Sequence, residues 1–73
     1  MSTEERKEER IRNYSKYRGL ADNKKVTDYQ VSQSLGFNPA VFSDWKSGKS
    51  QPKVDKLLKL AEYFGVTVEA FLA

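Results

Sequence analysis

The chain has 73 residues and a mass of 8.4 kDa, enough for one small core. It contains no Cys and no His, which excludes disulfide frameworks, zinc fingers, thiolate nucleophiles and imidazole acid/base chemistry together. Thirteen Lys and Arg against ten Asp and Glu leave +3 and a pI near 9.3, a basic excess that permits a polyanionic partner without demanding one.

A domain of this size buries only about 60% of its unfolded surface and, with no disulfide or metal to staple it, has to rely on well-formed helices. The longest apolar run, Ala70 to Ala73, falls far short of the roughly 18 residues a membrane span needs. Met1 to Glu5 has no apolar signal core. The expectation is a soluble, cytoplasmic, all-α protein with no membrane segment.

The first predicted helix runs from about Thr3 to Lys24. Ser2 and Glu5 form a capping box at its start, and Ile11, Tyr14, Tyr17 and Ala21 make an apolar stripe flanked by Leu20. Gly19 lies inside it and weakens its continuity. Residues 1–12 read as a charged extension of this helix and residues 13–73 as the functional domain. In the extension Glu4, Glu5, Glu8 and Glu9 offset Arg6, Lys7 and Arg10, the pattern of a solvated helix rather than of a basic arm gripping DNA.

The second helix, Asp28 to Leu35, starts at Thr27, with Gln30 three residues on completing a capping box. The third, Pro39 to Ser47, follows Asn38 as N-cap and has Pro at its first helical position. The fourth runs from Lys53 to Phe64, and a short fifth starts at Val68 after Thr67. Gly36, Gly48 and Gly65 stand just past the second, third and fourth as left-handed stops. Hydrophobic staples pair Val26 with Val31, Phe37 with Phe42, and Val66 with Phe71. In the fourth helix Val54, Leu57, Leu58, Ala61 and Phe64 share the face that should be buried, which turns Lys53, Lys56 and Lys59 outward.

Leu35-Gly36-Phe37-Asn38 is a Gly-containing turn of the length that joins the helices of a helix-turn-helix. Val31 and Leu35 then face Phe42 and Trp45, and helices one, four and five supply the remaining scaffold. The expected core is Tyr17, Leu20, Val31, Leu35, Phe42, Trp45, Leu57, Leu58, Ala61 and Phe64. Trp45 belongs there, rather than on the surface as a stacking platform, because it follows Phe42 by three residues on the same face.

From about Tyr14 to Leu72 the chain resembles the Cro/CI-type (XRE) helix-turn-helix family, the lambda-repressor-like domains of phage repressors and small bacterial regulators. The likeness is carried by Leu35-Gly36-Phe37, by Phe42 to Lys49, by Pro52, and by Leu57-Leu58 with Ala61 to Val66. It implies a five-helix domain whose partner is double-stranded DNA and whose third helix enters the major groove. By position, Pro39, Ala40, Val41, Ser43 and Asp44 would face bases, while Thr27, Tyr29, Asn38, Lys46, Ser47, Lys49, Ser50 and Gln51 would face phosphates. The stretch from Asp44 to Pro52 is similar to regulators of Gram-positive bacteria and their phages.

The chain departs from that family at Pro39, Ala40 and Asp28. Pro39 and Ala40 offer only apolar contact, for instance with a thymine methyl. Asp44 can accept from cytosine N4, pair with Lys46 or Lys49, or stay solvated. Asp28 stands where the family often has Gln, and a carboxylate there would repel a phosphate. Anchoring charge is better supplied, since from Lys46 to Lys59 five Lys stand against one Asp; of these, Lys56 and Lys59 read as a solvated face.

The apolar Pro39-Ala40-Val41 surface also suits a protein interface, so a second reading is an antirepressor or modulator that binds a partner repressor protein. Phe71 and Leu72 serve either as edge packing within the monomer or as a homodimer contact through the C-terminal helix. With no phosphate-cradling Gly loop and no His or Cys, neither an enzyme nor a cofactor or metal is expected.

Overall fold

A single 22-residue helix, α1 (Thr3–Lys24), is the spine of the molecule. At about 1.5 Å per residue it is about 33 Å long, and it accounts for a longest dimension of 34 Å against 22 Å in the other two. In the computed structural model, which describes residues 3–72, α1 is followed by α2 (Asp28–Leu35), α3 (Ala40–Ser47), α4 (Val54–Phe64) and a terminal 3-10 turn (Val68–Phe71). No strand occurs among the described residues. The capping box that begins at Ser2 lies outside them.

α1 runs unbroken through Gly19, and its end is made without a glycine. Lys25 takes the left-handed conformation at φ 59°, and the Val26 N–H reaches back to the Ala21 carbonyl at 3.0 Å. The buried stripe of α1 is Asn13, Tyr17 and Ala21, one residue per turn at four-residue spacing, with Tyr14 and Leu20 half-buried beside it. Ile11, placed on the stripe by the sequence pattern, is exposed, and a polar residue, Asn13, takes the inward position instead.

The core is largely aromatic. The Tyr17 ring stacks on Phe42 and on Trp45, each at 5.2 Å between centroids, and meets Phe64 edge-on at 5.9 Å. One residue of α1 therefore touches α3 and α4 at once. Val31, Leu57 and Ala61 are buried as expected, while Leu20, Leu35 and Phe64 are half-buried and packed against the cluster. Phe37, Leu60 and Phe71 complete it.

Two positions on α4 are corrected. Leu58 is 55% exposed and Val54 66% exposed, whereas Leu60 is fully buried. At about 100° per residue Leu57, Leu60, Ala61 and Phe64 cluster around one direction, and Leu58 lies about a quarter-turn away. Lys56 is half-buried rather than outward, its Nζ 5.8 Å from the Phe37 ring centroid.

The fifth helix is not α-helical. Beyond Gly65 the chain has to bring Phe71 into the core within a few residues. It does so by i→i+3 bonds, Ala70 N–H to Thr67 O and Leu72 N–H to Glu69 O, both 3.1 Å. Phe71 is fully buried by this turn and Leu72 stays exposed.

Candidate nucleic-acid interface

The α2–α3 unit is built by local chemistry at each end. Thr27 Oγ1 accepts from the Gln30 N–H at 3.1 Å, and Gln30 Oε1 accepts from the Thr27 N–H at 2.8 Å, closing the capping box. α2 ends at Gly36, φ 72°, and the Phe37 N–H returns to the Ser32 carbonyl at 2.9 Å. Phe37 then packs on Phe42 with centroids 6.3 Å apart, the staple expected across the turn. α3 begins at Ala40, one residue later than the sequence pattern placed it. The capping position is therefore Pro39, which offers no side-chain cap, but Asn38 Oδ1 still accepts from the Ala40 N–H at 2.9 Å.

α3 is divided lengthwise. Phe42 and Trp45 are committed to the core, while Pro39, Ala40, Ser43, Lys46 and Ser47 are exposed and Val41 and Asp44 half-buried. Among the described residues the Asp44 carboxylate pairs with neither Lys46 nor Lys49; its backbone carbonyl is the busy group, accepting from the Lys49 and Ser50 N–H groups and from Ser47 Oγ. Tyr29, at the start of α2, is 63% exposed, and Lys49 and Ser50 are exposed just beyond α3. Of the residues expected at phosphates, Gln51 is half-buried and engaged, its Oε1 accepting from Asn13 Nδ2 at 2.7 Å.

Asp28 has a role that its position in the sequence did not reveal. Instead of facing outward from α2 as a repulsive charge, its carboxylate turns to α1. It accepts from Tyr14 Oη, from Tyr17 Oη at 2.8 Å and from Arg18 Nη1 at 2.7 Å. Arg18 also reaches Asp22 at 2.6 Å. Burial, and then donation to Asp28, push both tyrosine hydroxyls well above the usual phenol range. The first turn of α2 is thereby clamped to α1.

The loop after α3 is held from α1 as well. Arg10 Nη1 donates to the carbonyls of Gly48 and Lys49, both at 3.3 Å, and Asn13, 1% exposed, holds Gln51. These partners are 38 and 39 residues apart, and only the four-residue spacing of Asn13 with Tyr17 and Ala21 hints at them in the sequence. A shallow groove of about 500 Å³ runs between α3 and α4, lined by Ala40, Val41 and Asp44 on one side and by Ser50, Gln51 and Lys53 on another. Among the described residues no group of acidic side chains is arranged to hold a metal ion, and no helix is long and apolar enough to cross a membrane.

Two short helices at a glycine turn, with one face of the second packed on a helical scaffold and the other presented outward, define a helix-turn-helix protein. A family model described as helix-turn-helix matches residues 18–71, most of the chain, and the protein belongs to the XRE-type helix-turn-helix family. It is also similar to the HTH-type transcriptional activator BcrR of Enterococcus faecalis, with 29% identity over 58 residues, which is 80% of this chain and 28% of the relative. The chain thus spans little more than a quarter of that protein's length. No solved structure matches it.

Proposed function

We propose that this chain is a sequence-specific DNA-binding transcriptional regulator of the phage-repressor type, acting on double-stranded DNA in the cytoplasm with α3 laid in the major groove. The supporting observation is the division of α3. Its apolar face is consumed by the core, and its outward face ends in exposed Lys46, with Lys49 next along the loop. A major groove about 12 Å wide admits one helix, and cations at that helix's end meet the flanking phosphates. Membership of the helix-turn-helix family and the name of the enterococcal relative agree with control of transcription.

On this reading Pro39, Ala40 and Val41 give apolar contacts, Ser43 can donate or accept, and Asp44 accepts from cytosine N4. None is a bidentate Arg or Gln reader of the kind that contributes about 1–3 kcal/mol of discrimination, so selectivity is modest. Lys46, Lys49, Ser50 and Tyr29 carry the phosphate contacts, assisted by Thr27, Asn38, Ser47 and Gln51.

Selection from randomised duplex DNA at about 100 mM salt tests the reading. An enriched pseudo-palindrome with half-sites about one helical turn apart identifies a dimeric reader, and a single half-site a monomeric one. Lys46→Ala and Lys49→Ala should each lower the slope of log affinity against log salt by about 1. No enriched motif, with slopes unmoved by either change, refutes it.

A further inference from the structure

We propose that the N-terminal extension of α1 and the loop after α3 together form an additional phosphate-binding cleft, in which Arg6, Arg10, Ser50 and Gln51 take a backbone phosphate of the bound duplex. The proposal rests on the DNA-binding reading and extends it to a segment outside the matched family region, which begins at residue 18. The sequence pattern of residues 1–12 reads as a solvated helix, but the structure docks its Lys7-to-Ile11 part. A Cβ built on Gly48 would lie 2.5 Å from Lys7 Cγ and 2.9 Å from the Lys7 carbonyl oxygen, so α1 is seated directly on the loop.

The cleft has a volume of about 430 Å³ and is lined by Arg6, Glu9, Arg10, Ser50, Gln51 and Pro52. Ser50, Gln51 and Pro52 also line the groove beside α3. The two depressions therefore share a wall, the continuity that a polyanion held at α3 needs to reach the cleft.

Its donors are prepared for an anion. Arg6 and Arg10 are four residues apart on a helix and so stand on one face. Arg10 is fixed by one nitrogen on the Gly48 and Lys49 carbonyls. A guanidinium has five N–H donors, and the others remain for a ligand. Arg6 is exposed and makes no hydrogen bond or ion pair among the described residues. Asn13 takes the acceptor end of the Gln51 amide, which leaves the Gln51 Nε2 donor for the cleft, beside the exposed Ser50 hydroxyl. Two guanidiniums against the one carboxylate of Glu9, with Lys49 adjacent in the loop, give a positive balance. Guanidinium forks match phosphate oxygens in geometry as well as charge.

The full chain is titrated with duplex DNA across a salt series. Arg6→Ala, at an exposed position with no hydrogen bond or ion pair among the described residues, should lower the salt slope by about 1 beyond the losses from Lys46 and Lys49. Glu9→Gln should tighten binding roughly two-fold at low salt, the size of one charge acting across about 10 Å of water. If Lys49→Ala lowers the slope while Arg6→Ala and Glu9→Gln change nothing, the cleft proposal is overturned and the DNA reading stands. If the chain binds no duplex, the DNA reading falls, and titration with inorganic phosphate, followed at the Ser50 and Gln51 amides by NMR, decides the cleft alone. Shifts abolished by Arg6→Ala support it, and unmoved amides overturn it.

Discussion

Replacing Gly48 with Ala measures how firmly α1 is fastened to the loop that follows α3. Two costs add at this position. The first is conformational: Gly48 sits at φ 80°, where a residue with a Cβ costs about 1–2 kcal/mol. The second is steric. The new methyl would stand 2.5 Å from Lys7 Cγ, 2.9 Å from the Lys7 carbonyl oxygen and 3.1 Å from Ile11 Cγ1. The Lys7 side chain can swing aside, but its carbonyl moves only if α1 moves, and overpacking of this sort costs about 1–3 kcal/mol. The total is about 2–5 kcal/mol, a large share of the stability of a small domain. Gly36 is the control. It has nearly the same backbone, φ 72°, and nothing within 4 Å of its Cβ position, so Gly36→Ala should cost only the first term, about 1–2 kcal/mol. Urea unfolding followed by the fluorescence of Trp45, fully buried in the core, reads both variants on one scale. Equal losses at Gly48 and Gly36 would refute the seating of α1 on the loop, and with it the wall of the proposed cleft.

Other positions give equally direct tests. Leu60→Ala should cost about 2–5 kcal/mol because Leu60 is fully buried, whereas Leu58→Ala at an exposed site should stay within about 0.5 kcal/mol; similar unfolding midpoints for the two would mean that the packed face of α4 is misassigned. Lys25→Gly should raise stability by about 0.5–1 kcal/mol, the relief of a left-handed Lys less the extra entropy of an unfolded glycine, and a lowered midpoint would contradict this. Tyr14 and Tyr17 titrate well above their ordinary value of 10.0 in the fold. At pH above about 10 the unfolded chain therefore gives up phenol protons that the native state keeps, and stability falls as pH rises. Tyr14→Phe should flatten that decline in urea midpoints; a wild-type midpoint that does not fall above about pH 10 would count against the Asp28 clamp.

The helix starts and stops could be read from the sequence because capping is short-range chemistry. Thr27 with Gln30, Asn38 ahead of α3, and Gly36 and Gly48 behind the two short helices satisfy or redirect backbone groups within a few residues of themselves. Those signals, with Phe42 and Trp45 three residues apart, were enough for the helix-turn-helix and for the resemblance to the Cro/CI-type family. Where Leu58 and Leu60 point was harder to read. An apolar run such as Leu57-Leu58 satisfies more than one choice of face, and only the neighbours that pack against α4 select among them.

The polar and charged residues separate most clearly. Taken in isolation, Asp28 is a carboxylate repelling phosphate, Asn13 a polar interruption of a stripe, and Arg10 one charge in a mixed-sign tail. In the fold they become the clamp on α2, the holder of Gln51 and the brace of the Gly48 loop. Hydrophobic spacing and caps are periodic or local, so the order of residues alone settled the first four helices, though not the 3-10 form of the last turn, together with the turn between α2 and α3 and the inward face of α3. The partner of a polar side chain is set by which distant backbone or carboxylate folding brings within 3 Å. For Arg10 and Asn13 that partner lies 38 residues away, just over half the chain, and only the packing of α1 on the α3 loop could choose it.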